Sequence, residues 1–229
     1  MNFSAEVVLP ENTNINSFSK EVGIEIIKRF ENSLIYKILE KDFPLIPNED
    51  KKEIYSLAIK RAKENSDDIL SKIHFNRRLA LVEEDVKKYF SENDHMVLDG
   101  FVNFRLKDYK EELKELCLSA AEELSSIREY DEFIDMLKFF VSVQSPKEEL
   151  VNIVKKNSRM RILNRRRKDI TDLYFDELIK SEEPLTDEDI ILSELISIAP
   201  EKIVIHDKCE NEKIYETISK IFENVVYTK

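Results

Sequence analysis

The sequence predicts an α+β protein, with a mainly helical N-terminal part followed by a small α/β part that holds a β-hairpin and a β-α-β unit. Three observations lead there. Apolar residues recur at helical spacing through most of the first 143 positions. Past Pro146 that period gives way to short runs rich in β-branched residues. The last thirty or so positions read strand, amphipathic helix, strand. The division is placed at Pro146, giving a helical domain over residues 1–146 and a small α/β domain over 147–229, whether packed as one unit or two.

A short alternating run over residues 4–9 predicts a strand. Val22, Ile26, Ile27, Phe30, Leu34 and Ile38 then predict a helix over about residues 17–41, ended by Pro44 and Pro47. Asn48 is placed to cap a second helix, whose first turn holds Glu49 and Asp50 against the positive end of the helix dipole. Its inner stripe is Ile54, Leu57, Ala58 and Arg61. Leu79, Val82, Val86 and Tyr89 predict a third helix over about residues 75–90, with an ordinary polar face.

Asp99 is a candidate cap for a short helical piece, and Asp108 with Glu111 has capping-box spacing. Ser126 with Glu129 repeats that spacing, and each box would contribute about 1 kcal/mol by satisfying backbone donors. Two boxes predict a helical hairpin. One stripe is Leu113, Leu116, Cys117, Ala120 and Leu124; the facing one is Tyr130, Phe133, Ile134, Leu137, Phe140 and Val141.

Residues 150–154 and 160–163 are β-prone and flank Lys155-Lys156-Asn157-Ser158, which reads as a hairpin turn. Residues 170–180 have a helical pattern. Thr186, followed by Asp187, Glu188 and Asp189, caps another helix that runs to about Ile198. Residues 202–206 and 225–227 are strand-like and bracket a helix over 211–222, so as neighbours they would be parallel with a right-handed crossover.

Composition narrows the function classes. At 229 residues the chain can bury roughly 70–75 % of its unfolded surface, and a folded protein is expected although 36 % of its residues are charged. No apolar stretch is long enough to span a membrane, and the first residues lack a basic n-region and an apolar h-region. Cys117 and Cys209, far apart, fit a reducing compartment, so a cytoplasmic protein that is not integral to a membrane is expected. Gly23 and Gly100 are the only glycines, which excludes the glycine-rich phosphate loops of the Walker and dinucleotide types. No Gly-x-Ser-x-Gly, His-Glu-x-x-His or Cys-x-x-Cys occurs, so a non-enzyme is favoured and neither cofactor nor metal is expected.

The block from Gly100 to Gln144 resembles the YtxC-like family of sporulation proteins of endospore-forming bacteria. The resemblance is carried by Gly100-Phe101-Val102, Phe104-Arg105-Leu106-Lys107-Asp108-Tyr109, Glu129-Tyr130, Glu132-Phe133-Ile134 and Phe140-Val141. Ala199-Pro200 with Lys202-Ile203-Val204-Ile205-His206 is similar to its C-terminal part. The resemblance implies a sporulation context and no reaction, so it carries over no catalytic residue.

The sharpest anomaly is the strip KKNSRMRILNRRRK over residues 155–168. It holds eight basic residues and no acidic one in a chain of net charge −11, leaving −19 on the remainder. Lys155, Lys156, Arg159, Arg161, Arg165, Arg166, Arg167 and Lys168 are the candidate binding residues. Strand alternation would set Met160 and Ile162 on one face and Arg159, Arg161 and Arg165 on the other, as a row of guanidinium forks for phosphate or carboxylate oxygens. The competing reading is that these cations pair with the chain's own acids or stay solvated. A protein partner is the first expectation, with nucleic acid or anionic lipid headgroups as alternatives; a nucleic-acid contact would show steep salt dependence. An enzyme of unrecognised type would use the strand end at His206-Asp207-Lys208-Cys209-Glu210. Cys117 reads as a small core residue, and Arg105 as part of a polar edge that helix capping mostly explains.

Overall fold

The computed structural model describes residues 5–63, 69–156, 159–171, 173–174, 186–206 and 213–228. The chain divides into two units, Met1–Ser126 and Ile127–Lys229, each with its own core.

In the first unit, strand β1 (Glu6–Val8) pairs antiparallel with β2 (His95–Val97), Val7 standing opposite Met96. Helix α1 (Ile15–Asp42) starts on Asn14, whose side chain accepts from the Asn16 amide at 2.9 Å. It packs against α3 (Ile69–Phe90), and Gly23 faces that helix closely: a Cβ there would lie 3.2 Å from Leu79 Cδ1. Helix α2 (Asn48–Ala62) already contains Asn48, so that residue is not its cap. Pro47 holds the N-cap without a side-chain bond, and Glu49 and Asp50 occupy the first turn as the charge pattern predicts. The short α4 (Leu98–Phe104) likewise has Asp99 inside its first turn, with Val97 at the N-cap.

The helical hairpin does not form. Helix α5 (Lys107–Ser142) runs unbroken through the second capping-box signal. Ser126 Oγ donates to the Glu122 carbonyl at 3.0 Å, the back-bond of a serine inside a helix, so the hydroxyl satisfies itself without ending the helix. Asp108 lies in the first turn of α5 and not before it, where its charge still suits the dipole. The stripe Leu113, Cys117, Ala120 and Leu124 is buried in the first core with Ile26, Ile35, Leu39, Val82 and Val86.

The second unit is built on a sheet of order β4-β3-β5-β6. β3 (Leu150–Lys156) and β4 (Arg159–Asn164) form the antiparallel pair, Ile153 opposite Ile162. β5 (Lys202–His206) is parallel to β3, and β6 (Val225–Thr228) is parallel to β5 across α7 (Lys213–Ile221). Lys155 and Lys156 belong to β3; Asn157 and Ser158, the rest of the expected turn, lie outside the described residues. Helix α6 (Asp187–Ile198) carries the capping box, Thr186 Oγ1 accepting from the Asp189 amide at 3.2 Å and Asp189 Oδ2 from the Thr186 amide at 3.0 Å. Most of the helix expected over residues 170–180 lies outside the described residues. Ile170 itself follows β4 as extended chain, its amide donating to the Ile162 carbonyl at 2.9 Å.

The residues expected to face the first α5 stripe take another role. Ile134 is buried with Val151, Ile203, Ile218 and Phe222, and Leu137 and Val141 pack on that cluster, whereas Tyr130, Phe133 and Phe140 are exposed. With no second helix of a hairpin to meet, these positions are free to serve the sheet's core.

Candidate functional site

Strand alternation gives the sheet two chemically different faces. Val151, Ile153, Met160, Ile162, Ile203 and Ile205 point into the core with Ile191 and Leu195 of α6 and Ile214 and Ile218 of α7. The register sets Asn152, Val154, Arg161, Val204, His206 and Thr228 on the other face. One row of that face reads Arg161, Val154, His206, Thr228, at the carboxyl ends of the parallel strands, where open α/β sheets commonly hold their sites.

His206 is clamped there. Its Nε2 lies 2.9 Å from Asn152 Oδ1 and its Nδ1 2.8 Å from Thr228 Oγ1. Asn152, 4 % exposed, donates its amide NH2 to the Asn164 carbonyl at 3.4 Å, which leaves Oδ1 as the acceptor toward the imidazole. The neutral ring that fits therefore carries its proton on Nε2 and accepts the Thr228 hydroxyl at Nδ1. Both nitrogens are occupied and both partners are neutral, an arrangement that positions a ring. Cys209 lies outside the described residues, and among the described residues no three His, Cys, Asp or Glu side chains are disposed to hold a metal ion. The other histidines are elsewhere: His74 is exposed on α3, and His95 Nε2 lies 3.2 Å from Glu6 Oε2.

The basic strip forms two clusters. Met160 and Ile162 are buried and Arg159 and Arg161 take the other face, but Arg165 lies past the strand and does not extend their row. Lys156 and Arg159 are opposite one another at one end of the hairpin, while Arg165, Arg166, Arg167 and Lys168 follow Asn164 at the other. Five residues of β4 separate the ends by about 17 Å. Asn164 builds the second cluster: its Oδ1 accepts the amides of Arg166 at 3.0 Å and Lys168 at 3.1 Å, and its carbonyl accepts the Arg167 amide at 2.9 Å. This turn holds Arg167 in the left-handed region at φ 61°, which the side-chain and backbone bonds from Asn164 secure.

Part of the strip's charge is spent internally. Arg165 pairs with Glu149 at 2.8 Å, both largely exposed, so the pair adds little stability. Asp169 is pushed up by burial, but hydrogen bonds from the Thr171 side chain and amide, with Arg161 and Lys156 nearby, outweigh this and hold its carboxyl below the usual carboxylate range. Arg159, Arg166, Arg167 and Lys168 are exposed and form no ion pair among the described residues.

Two further clusters lie in the first unit. Glu31, Arg78 and Tyr109 form a buried polar network that the sequence reading passed over. Arg78 Nε donates to Glu31 Oε2 at 3.0 Å, Tyr109 OH to the same oxygen at 2.9 Å, and an Arg78 terminal nitrogen to the Ala62 carbonyl at 2.8 Å. Burial, then the Glu31 charge and hydrogen bond, push the Tyr109 hydroxyl far up from its ordinary range. Arg105 lines a 160 Å³ cleft with Asp85, whose carboxyl is raised by burial and by Asp108 and Glu84.

Cys117 is fully buried, and burial with the nearby Asp42 charge pushes its thiol up to about 12. Thiolate is the reactive form, so Cys117 is expected to resist alkylation near pH 8 in the native protein and to react once urea unfolds it. Peptide mapping after iodoacetamide treatment checks this; prompt native labelling of Cys117 would show that the first core is open.

A model of the YtxC-like family matches residues 19–227 of the chain. The chain is 23 % identical over 201 residues to "Uncharacterized protein YtxC" of Bacillus subtilis (strain 168), covering 86 % of this chain and 70 % of that protein. No solved structure matches it.

Proposed function

The chain belongs to the YtxC-like family, and we propose that it is a non-catalytic, cytoplasmic interaction protein of sporulating cells that binds an acidic protein partner through the basic hairpin. The carrying observation is the set of exposed cations, Arg159, Arg166, Arg167 and Lys168, left without ion pairs among the described residues on a chain of net charge −11. Where the molecule is so acidic overall, cations held apart from its carboxylates orient encounter with a negatively charged surface and disfavour other approaches. Their division between two hairpin ends suits a broad contact better than one small anion. Among the described residues no helix is long and apolar enough to cross a membrane. His206, bonded at both ring nitrogens to neutral partners, supports a positioning role in preference to acid-base chemistry.

Affinity capture from sporulating cells with the wild type and the quadruple variant Arg159→Ala/Arg166→Ala/Arg167→Ala/Lys168→Ala tests the reading. An acidic protein retained by the wild type is expected to bind the variant about tenfold more weakly or worse. Equal capture by both would overturn the assignment to the hairpin. Fluorescence anisotropy of mixed-sequence DNA and RNA runs beside it: binding that falls steeply with salt and disappears in the variant would replace the acidic protein with a nucleic acid.

A further inference from the structure

A different feature of the first unit points to a small-molecule site. Beside the buried aliphatic residues of the two helices, Ile35 and Leu39 on α1 and Ile54 and Ala58 on α2, an open cleft of about 910 Å³ is lined by Ser33, Tyr36, Lys37 and Glu40 on α1 and Asn48, Lys51, Lys52 and Tyr55 on α2. That volume falls within the range of small-molecule and cofactor sites. Most of the cleft's exposed wall is carbon, and of its four charged lining residues three are lysines.

Two observations fix the ligand chemistry. First, Tyr36 and Tyr55 meet edge to face, centroids 6.4 Å apart at 81°, and Tyr36 remains 58 % exposed. A tyrosine held by a ring contact while much of its surface stays open is a platform on which a planar aromatic can stack. Second, Lys37, Lys51 and Lys52 surround the one acidic lining residue, Glu40, which Lys51 already approaches at 3.6 Å. Lys37 further belongs to a crowd of cations: Lys110, whose ammonium is disfavoured first by burial, is disfavoured also by Lys37 and Lys41. An anion placed beside Lys37 would relieve that repulsion. Bare phosphate would leave the aromatic and aliphatic wall unused, and an uncharged aromatic would leave the lysines unused.

We infer that the α1/α2 cleft binds a phosphorylated aromatic small molecule of the mononucleotide class, stacked on Tyr36 and neutralised by Lys37 and Lys52. Recognition of this kind needs no glycine-rich loop, because side-chain ammonium groups take the place of backbone amides at the phosphate. The site is separate from the basic hairpin, so it stands or falls independently of the interaction reading.

Isothermal titration of the full chain with the four common ribonucleoside monophosphates and triphosphates, adenosine and inorganic phosphate tests the site. At least one nucleotide is expected to bind measurably at millimolar concentration or below, and more tightly than either adenosine or phosphate. Tyr36→Leu is expected to weaken it about tenfold or more, the contribution of one stacked base. Lys37→Gln/Lys52→Gln is expected to remove the preference for the phosphorylated ligand. All three positions are exposed, so the variants should keep the wild-type circular dichroism spectrum. No binding by any nucleotide, phosphate binding as tightly as the nucleotides, or nucleotide binding unchanged in Tyr36→Leu would each overturn the proposal.

Discussion

Replacing Arg78 with leucine is expected to lower the unfolding free energy of the first unit by about 3 to 5 kcal/mol, the range for removing one partner of a buried ion pair. The loss comes less from the missing attraction than from what is left behind. Arg78 is 1 % exposed and Glu31 7 %, and without the guanidinium the Glu31 carboxylate keeps, among the described residues, the Tyr109 hydroxyl at 2.9 Å. The Ala62 carbonyl, near the end of α2, loses its donor as well. The double variant Glu31→Leu/Arg78→Leu is expected to recover the part of the deficit that comes from the uncompensated charge, while the Ala62 carbonyl and the Tyr109 hydroxyl still lack these partners. Tyr109→Phe removes one bond to a charged acceptor and should cost about 1.5 to 3 kcal/mol. Urea denaturation of the set checks the ordering. A single Arg78→Leu variant within about 0.5 kcal/mol of wild type, the scatter of ordinary surface substitutions, would show that the pair is not desolvated as the structure has it.

This network also marks the limit of what the sequence discloses. Glu31 falls four residues after Ile27 and three before Leu34, on the inner stripe of α1; Arg78 falls three after Phe75 and four before Val82, on the inner stripe of α3. A charge on the apolar stripe of each of two helices is a legible signal, and a complementary pair can be inferred from it. The partner cannot be named from spacing alone, because that depends on which helices adjoin and at what height. Tyr109 was harder still, since a buried tyrosine is ordinary and only its hydroxyl distance reveals the third member.

The C-terminal unit was legible for a plain reason: its signals are local. The Thr186–Asp189 capping box and the approximate extents of β5 and α7 follow from residues within a few positions of one another, and the parallel β5–β6 pairing, 22 residues apart, follows from the one helix that joins the two strands. The position of β3 between β4 and β5 is not local, and it decides the candidate site. It brings Asn152 alongside Val204 and thereby within reach of His206, 54 residues later. The basic strip was visible as composition, but its division into two clusters depends on β4 ending at Asn164 and on the side-chain turn that Asn164 makes with Arg166 and Lys168. Of the small β1–β2 pair only β1 is legible in the sequence, because His95-Met96-Val97 is too short to show alternation.

The sharpest disagreement between sequence signal and structure, at Ser126, yields a discriminating substitution. If Ser126 capped a new helix, Ile127 would be its first helical residue, the position that favours proline, and Ile127→Pro would be tolerated or mildly stabilising. In the continuous α5, Ile127 is an interior residue, so proline removes its amide bond to the carbonyl four residues back and its ring clashes with that same group, at a cost of about 3 kcal/mol or more. The native side chain contributes little to the difference, because Ile127 is 45 % exposed. Ile127→Ala supplies the control for that lost surface and, as alanine favours helix, should lie within about 1 kcal/mol of wild type. Ile127→Pro is therefore expected to lower the urea midpoint well below that of Ile127→Ala and to reduce the helical circular dichroism signal. Equal midpoints for the two variants would restore the capping box at Ser126 and break α5 in two. The two signals compete on physical grounds: a serine hydroxyl serves a forward amide at a helix start or a backward carbonyl inside one. Ala120 and Leu124 before Ser126 and Ile134 after it are buried in two separate cores that one continuous helix serves, and inside that helix the hydroxyl takes the backward bond to the Glu122 carbonyl.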